Sequence, residues 1–164
     1  MRWVTFYFSA LLLLLGTCQV VEAEPTYTLA IVKPNAVKKN HIGDIIAKLE
    51  KGGLRVAALK MQQLTLDQAK KFYEVHKDRT FFKQLTTFMS SAPIVAIALE
   101  GENAVKVSRD ILGATDPSKA SRGTIRADFG DSLTENAIHG SDSEESAQKE
   151  LSFFFRRDEL QQRF

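Results

Sequence analysis

The stretch Tyr27–Pro34, which reads YTLAIVKP, decides how the rest of the chain is organised. Residues 27–32 form a short, nearly continuous apolar run, which is typical of a strand buried on both faces. Pro34 ends this strand because proline has no amide hydrogen to donate to a neighbouring strand. Lys33 is therefore expected at the C-terminal end of a buried strand.

Further along the chain, the spacing of apolar residues predicts a helix and three more strands. The helix is ended by Gly52-Gly53 and has apolar residues at i, i+3, i+4 and i+7 spacing, namely Ile42, Ile45, Ile46 and Leu49. The strands are predicted at Leu54–Met61, Pro93–Leu99 and Thr134–Ile138.

Caps and apolar stripes predict the remaining helices. A capping box of Thr65 and Gln68 opens a helix with the stripe Ala69, Phe72, Tyr73 and His76. A short helix carries Phe81, Leu85 and Phe88, and another spans Asn103–Leu112, before a turn-rich loop over Gly113–Gly123. A second capping box, Asp142 with Glu145, opens a final helix with the stripe Ala147, Leu151, Phe154 and Phe155.

The order of these elements predicts the fold class. Strand, helix, strand, helical pair, strand, helix, strand and helix follow one another along the chain. This order is typical of an α+β, ferredoxin-like βαββαβ fold with an antiparallel four-stranded sheet. A helical hairpin is inserted between strands two and three, and a C-terminal helix follows the last strand.

The composition of the chain limits the classes of function that it can have. The 164 residues, 44% of them hydrophobic, suffice for one domain, and the net charge of +2 with scattered Lys and Arg argues against specific nucleic-acid binding. The single cysteine, Cys18, excludes an internal disulfide and a cysteine-based zinc site. The three histidines lack the spacing of metal ligands, so no protein-held metal is expected.

Residues 1–23 differ from the body of the chain and resemble a secretory signal. An apolar run, Trp3–Leu15, follows Arg2, and Val21-Glu22-Ala23 offers small residues at a cleavage position. This run is shorter than the roughly 20 residues that cross a bilayer, so no stable membrane anchor is expected. The alternatives to a secretory signal are a lipoprotein signal around Cys18 and a misassigned start codon. Residues 24–164 form the predicted domain.

His139 is the candidate nucleophile, since neutral imidazole can attack a terminal phosphate and the neighbouring Gly140 lets a large group approach. Phosphoryl transfer also needs cations and oriented donors around the charged oxygens. The chain offers Lys33, Arg109, Thr115 and Arg126. Each alone is typical of an ordinary surface residue, so only their convergence on His139 would give them a function.

Four motifs give these residues a common context, at residues 30–37, 77–82, 123–129 and 136–143. In order and spacing they resemble the nucleoside diphosphate kinases, over residues 26 to about 160. The resemblance implies a ping-pong transfer of the terminal phosphate from a nucleoside triphosphate, mainly ATP, to any nucleoside diphosphate through a phosphohistidine at His139. It also implies that phosphates and ribose contact Lys33, Arg109, Thr115, Arg126 and Asn136.

The same resemblance implies the remaining roles. Phe81 stacks on the base, Glu150 and Ser141 orient the histidine, and Tyr73 belongs to the site, although packing alone also explains Tyr73. Magnesium arrives bound to the nucleotide phosphates. The resemblance to short bacterial members implies a homo-oligomer, a tetramer with a hexamer as alternative, and a cytoplasmic location, with export as the alternative that residues 1–23 suggest.

Two departures from the family pattern are visible, and two other functions compete. Asn35-Ala36 replaces a common Asp-Gly, and Arg122 precedes Gly123 in a loop that helps assembly, which bears on oligomer geometry. An RNA-binding module on the same fold is disfavoured because the strands lack paired exposed aromatic residues. A phosphohistidine carrier is the third hypothesis.

Overall fold

The structure, a computed structural model, describes residues 26–161. The predicted signal segment 1–23 therefore lies outside the described residues. The described chain has four strands, β1 Thr26–Val32, β2 Arg55–Gln62, β3 Ile94–Gly101 and β4 Ile138–Gly140. Its seven α-helices are α1 Pro34–Lys38, α2 Ile42–Lys51, α3 Leu66–Phe72, α4 Phe82–Ser90, α5 Ala104–Leu112, α6 Ile125–Phe129 and α7 Glu144–Phe154.

The four strands form one antiparallel sheet in the order β2-β3-β1-β4. β1 lies inside the sheet, pairing along its whole length with β3 on one side and with the short β4 on the other. Together with the order of the helices, this arrangement confirms the predicted ferredoxin-like α+β fold. The register places Ile31 opposite His139, two residues before Lys33, so the lysine and the histidine reach the same end of the sheet.

Helices cover both faces of the sheet, which explains why β1 and β3 are apolar on both sides. One core includes Ala30 and Val32 of β1, with Ile45 of α2 and Leu112 of α5 packed against them. The other core includes Ile31 of β1 and is covered by α3, α4 and α7. Because adjacent strand residues point to opposite faces, β1 contributes to both cores at once.

The fourth strand differs from its prediction at Thr134–Ile138. β4 begins only at Ile138, because residues 136–138 close a tight turn in which the Ile138 amide donates to the Asn136 carbonyl at 2.8 Å. Ala137 takes a left-handed conformation with φ 68°, which an extended strand does not allow. His139 therefore lies inside the paired strand and not after its end.

The cap of the last helix also differs from its prediction. Ser143, not Asp142, caps α7, and its hydroxyl accepts the Ser146 amide at 3.1 Å. Pairing with β1 continues through the Ser141 amide, which donates to the Leu29 carbonyl at 3.1 Å. Asp142 is thus the connecting residue, and the helix begins one position later than the predicted capping box requires.

Two short helices, α1 and α6, have no counterpart in the sequence prediction. Proline ends β1 as predicted, but its fixed φ also suits the first turn of a helix, so α1 starts at Pro34. Helices of five residues are too short to show a helical period. In contrast, the Thr65–Gln68 capping box is confirmed, with the Gln68 amide donating to Thr65 Oγ1 at 3.1 Å and the Thr65 amide to Gln68 Oε1 at 2.8 Å.

The helical hairpin is broken where the sequence predicts a continuous stripe. α3 ends at Phe72, Tyr73 is its C-cap, and a 3₁₀ turn follows at Glu74–His76. Phe81 precedes the first residue of α4. Within residues 26–161, no helix combines the length and the apolar character that crossing a membrane requires.

Candidate active site

A cavity of about 470 Å³ opens at the end of the sheet where Lys33 and His139 lie. Of the ten residues predicted for the site, nine line it: Lys33, Tyr73, Phe81, Arg109, Thr115, Arg126, Asn136, His139 and Glu150. Ser141 does not line the cavity but contacts Glu150 from behind. The structure thus brings together side chains from β4, α5, α6 and α7 and from the segments that connect the elements.

His139 is held by a carboxylate from α7. Its Nε2 lies 2.9 Å from Glu150 Oε2, and the Ser141 hydroxyl donates to the same oxygen at 2.7 Å. Ser141 is fully buried and its oxygen accepts the Leu29 amide at 3.3 Å. Because a carboxylate accepts hydrogen bonds, Nε2 carries the ring proton, which leaves Nδ1 with a free lone pair.

Aromatic rings fix the imidazole from the side of α3. Phe72 meets the His139 ring edge-to-face at 5.3 Å between centroids, and Tyr73 meets it at 5.8 Å. Tyr73 is buried, and its hydroxyl has no hydrogen-bond partner among the described residues. Burial, with Glu150 as a second cause, raises the pKa of Tyr73, so its hydroxyl stays protonated and remains a donor facing the cavity.

Lys33 and Arg126 form a buried pair of cations. Lys33 Nζ donates to the Thr134 carbonyl at 3.2 Å, and burial together with Arg126 lowers the pKa of Lys33 to about 7. Arg126 is also buried and donates to the carbonyls of Gly113 and Ile138 at 2.8 and 3.2 Å. Burial, with Arg109 as a second cause, lowers the pKa of Arg126 to about 10, so it remains charged at neutral pH.

Asn136 and Thr115 meet where the loop after α5 crosses the cavity. Asn136 Nδ2 donates to the Thr115 carbonyl at 2.8 Å. Asn136 Oδ1 is buried without a hydrogen-bond partner among residues 26–161. A free acceptor in the cavity wall suits a hydroxyl donor on a ligand, since an unpaired buried acceptor is costly. Arg109 of α5 lines the same wall and is exposed.

Exposed apolar side chains line the cavity at its open side. Phe81 is 45% exposed, and sequence reasoning missed its neighbours Leu133 and Val75, which are 63% and 84% exposed. His76 lies beside Phe81, with 5.7 Å between ring centroids. No sequence signal pointed to Leu133 or Val75, because single apolar residues in polar loops are ordinary.

The cavity combines an oriented imidazole, buried cations and an apolar platform, which suits a ligand with both phosphates and an aromatic ring. Its two carboxylates do not suit a metal held by the protein, because Glu150 is already engaged with Ser141 and His139 and Asp142 is hydrogen-bonded with Ser146. Within the described residues, no three His, Cys, Asp or Glu side chains cluster as metal ligands do.

Comparisons with known proteins agree on one family. The family model for nucleoside diphosphate kinase matches residues 26–160. The chain is 59% identical to a nucleoside diphosphate kinase of Wolinella succinogenes over 128 residues, which are 78% of this chain and 93% of that protein.

Solved structures give the same result. The nucleoside diphosphate kinase of Aquifex aeolicus superposes with a TM-score of 0.81 at 46% identity, covering 84% of this chain and 99% of that one. A halophilic nucleoside diphosphate kinase from Halobacterium salinarum, solved in complex with CDP, superposes with a TM-score of 0.82 at 38% identity. That match covers 86% of this chain and 94% of the other.

Proposed function

The chain belongs to the nucleoside diphosphate kinase family, whose members transfer phosphate between nucleotides, and we propose that His139 carries the phosphoryl group in this protein. The observation that supports this proposal best is the shared oxygen of Glu150. This oxygen accepts hydrogen bonds from both the His139 ring and the Ser141 hydroxyl, in a cavity lined by Lys33 and Arg126. The ring is thus oriented by Glu150 and lines the same cavity as the two cations.

In the first half-reaction, Nδ1 of His139 attacks the terminal phosphorus of a nucleoside triphosphate. The new P–N bond forms as the P–O bond to the β-phosphate breaks, and the nucleoside diphosphate leaves with the electron pair. Positive charge develops on the ring, and Glu150 stabilises it through the Nε2 proton. In the second half-reaction, a terminal oxygen of another nucleoside diphosphate attacks the phosphorus and the P–N bond breaks, which restores the ring.

The buried cations stabilise the phosphate oxygens during both steps. Arg126 offers a planar fork for two oxygens, whereas Lys33 acts as a point charge. Arg109 and Thr115, which line the same cavity, add further contacts. Oriented charges in a partly buried cavity stabilise a developing charge more than they would in solvent.

The base and the ribose are recognised without hydrogen bonds to the edge of the base. Phe81 stacks on the base beside the exposed Leu133 of the same cavity, while Asn136 and Lys33 bind ribose hydroxyls. Because every base has an aromatic face, stacking accepts all of them. The CDP complex of the Halobacterium salinarum relative is consistent with a pyrimidine nucleotide at such a site.

Magnesium belongs to the substrate in this proposal. The cavity is lined by three cationic side chains and by two carboxylates, Glu150 and Asp142, which are both already hydrogen-bonded within the protein. The ion is therefore bound by the nucleotide phosphates, where it neutralises charge on the leaving group.

Acid-labile, alkali-stable labelling tests the proposal. Incubating the purified protein with γ-labelled ATP and Mg²⁺ is expected to label His139, and nucleoside diphosphates of any base are expected to discharge the label rapidly. His139→Ala is expected to abolish both labelling and transfer, whereas His41→Ala, outside the cavity, retains both. Undiminished transfer by His139→Ala would refute the proposal, and slow or absent discharge would favour a phosphohistidine carrier.

We further propose a homo-oligomer, a tetramer in preference to a hexamer. β2 lies at an edge of the sheet, and its Leu59 and Met61 are 48% and 56% exposed. An open edge with apolar side chains favours pairing with another chain. Native mass spectrometry is expected to give the tetramer, and a monomer at micromolar concentration would contradict this.

The cytoplasm is the proposed location, because the reaction consumes nucleoside triphosphates and these are concentrated inside cells. Export is the alternative that residues 1–23 suggest. Cell fractionation combined with mass spectrometry of the native N-terminus tests this. A chain that begins at Glu24 and is found outside the cytoplasm would overturn the proposed location.

A further inference from the structure

Lys48, on the exposed side of α2, lies outside the cavity yet is bonded to two segments that build it. Its Nζ donates to the Gly123 carbonyl at 2.8 Å and lies 2.7 Å from Asp128 Oδ2. It also lies 5.9 Å from the centroid of the Phe129 ring. Its side chain is 29% exposed, so this contact is partly shielded from solvent.

The contact is a closed triad and not a simple surface ion pair. Asp128 also accepts the backbone amide of Gly123, and the Lys48 hydrogen bond holds the pKa of Asp128 below its ordinary value. Gly123 has φ 86°, a left-handed conformation that favours glycine. The triad therefore fixes a turn whose backbone has little intrinsic preference for this shape.

This turn joins the loop 113–124 to α6. The loop carries Thr115, and Arg126 is the second residue of α6. The other end of the loop is held from within the site, where Arg126 donates to the Gly113 carbonyl at 2.8 Å. The loop is thus anchored at Gly113 by Arg126 and at Gly123 by Lys48.

We propose that Lys48 is a positioning residue for phosphoryl transfer, which acts through Gly123 and Asp128 on Arg126 and Thr115. The proposal rests on the proposed function, because it needs Arg126 to contact the transferred phosphate. Helix α2 packs on the sheet through Ile45 and Leu49 and is therefore rigidly placed. Lys48 bonds this helix to a long loop, and loops are in general more mobile than the elements that they connect. A phosphate ligand displaced by a fraction of an ångström loses much of its effect on the transition state.

Lys48→Met tests the proposal, because methionine keeps the apolar stem but removes the charge and both hydrogen bonds. The rate of His139 phosphorylation by ATP is expected to fall ~10-fold, since misplacement of a catalytic contact by about 1 Å can cost ~100-fold. Lys48→Arg, which can donate to both acceptors, is expected to restore most of the rate. Hydrogen exchange of the amides in residues 113–124 is expected to accelerate in Lys48→Met and to recover in Lys48→Arg.

Lys60→Met is a closely matched control. Lys60 also donates to a backbone carbonyl, that of Phe154, at 2.8 Å, lies 2.9 Å from Glu159 and is 5.2 Å from the Phe155 ring centroid. Its side chain is 35% exposed, and its partners lie outside the cavity. Lys60→Met is therefore expected to lower the melting temperature much as Lys48→Met does, while the phosphorylation rate stays that of the wild type.

A double-mutant cycle separates positioning from stability. In an Arg126→Ala background, Lys48→Met is expected to change the phosphorylation rate by less than about twofold, because the residue through which it acts is gone. A full rate in Lys48→Met, equal losses in Lys48→Met and Lys60→Met, or a full additional loss in the Arg126→Ala background would overturn the proposal. A wild-type protein that is not phosphorylated at all would instead refute the proposed function, and the exchange experiment would still report whether Lys48 anchors the loop.

Discussion

The two ends of the cavity balance their charges in opposite ways. At the histidine end, Glu150 accepts from both His139 and Ser141, so its shared oxygen is saturated by the protein itself. At the cation end, Lys33 and Arg126 donate only to backbone carbonyls, and no carboxylate within residues 26–161 forms an ion pair with them. Their mutual repulsion lowers the pKa of Lys33 further than burial alone does.

The difference indicates which part of the site the protein completes and which part it leaves for the ligand. Buried charges without counter-charges are costly, so two of them side by side are expected only where an anion binds. The histidine end is a complete hydrogen-bond network that orients His139, the proposed nucleophile. The cation end is electrostatically incomplete until phosphate groups enter.

Arg126→Ala breaks the cation end and is expected to have the largest effect. Transfer should fall ~100- to 1000-fold, as when one preorganised donor to a developing charge is removed. Steady-state kinetics with ATP and several diphosphates measure this, and circular dichroism checks that the variant folds. Arg156→Ala, an exposed arginine paired with Asp158, is the control and should leave the rate unchanged. Unchanged kinetics in Arg126→Ala would remove this residue from the site.

Glu150→Gln breaks the histidine end and is expected to have the next largest effect. The amide keeps the shape but loses the negative charge that stabilises the ring, so the rate of His139 phosphorylation should fall by up to ~100-fold, the loss that a misplaced catalytic group can cause. KM should change little, because Glu150 holds the ring and not the nucleotide. Rapid-quench measurements with labelled ATP separate the two.

The matched control for Glu150→Gln is Glu145→Gln, on the same helix but paired with Lys149 at the surface. It should phosphorylate like the wild type. If Glu150→Gln raised KM and left the phosphorylation rate intact, the carboxylate would be acting on the nucleotide, and the contrast between the two ends would be wrong.

Phe81→Ala should act equally on both half-reactions, because it removes a contact that is remote from either charged end. Loss of base stacking costs about 1–3 kcal/mol per base. KM should therefore rise by about the same factor for ADP, GDP, CDP and UDP, whereas Phe81→Trp should retain the wild-type values. Steady-state assays across the four diphosphates measure this, and a base-dependent loss would show that an edge of the base is read.

Lys33→Met is expected to have the smallest of these effects. The effect is on the stability of the folded chain, so it can be measured without substrate. The pKa of Lys33 is about 7 in the folded chain, below its ordinary value of 10.5. Between these values the unfolded chain binds more protons, so the cost of burying charged Lys33 is largest below about pH 7 and fades as pH rises. Lys33→Met should thus melt above the wild type at pH 6.5, and this advantage should shrink toward pH 10.

Calorimetric melting of both proteins at several pH values provides the measurement for Lys33. Saturating phosphate or nucleotide should also reduce the advantage of Lys33→Met, because it supplies the missing counter-charge to the wild type. A melting difference that stays constant from pH 6.5 to 10 would contradict the account of the cation end.

Local patterns predicted most of the fold but not its boundaries. The buried strand at β1 and the Thr65 cap were visible because apolar runs and capping boxes depend on neighbouring residues. The start of β4 was not, because it depends on the turn at Ala137 and on pairing with β1, which lies far away in the sequence. Because pairing with β1 continues to Ser141, α7 begins one residue later than its predicted start.

The candidate site was predicted as a set of residue types, and its geometry was not. Motif resemblance named Lys33, Arg126 and His139, but no spacing could place them around one cavity. Leu133 was missed because an exposed leucine in a loop carries no signal until the fold sets it beside the same cavity.

By itself, the sequence determined the order of the strands and the longer helices, the ferredoxin-like class and the family, because hydrophobic period and motif order are local properties of the chain. Only the tertiary structure decided that Glu150 reaches His139 and that Lys33 and Arg126 lie close together in a buried wall. It also decided that Lys48 donates to Gly123, in the loop that precedes Arg126. The physical reason is that these contacts join segments far apart in sequence. Their energies depend on which backbone groups the packed sheet brings within hydrogen-bond distance, and no local pattern encodes that.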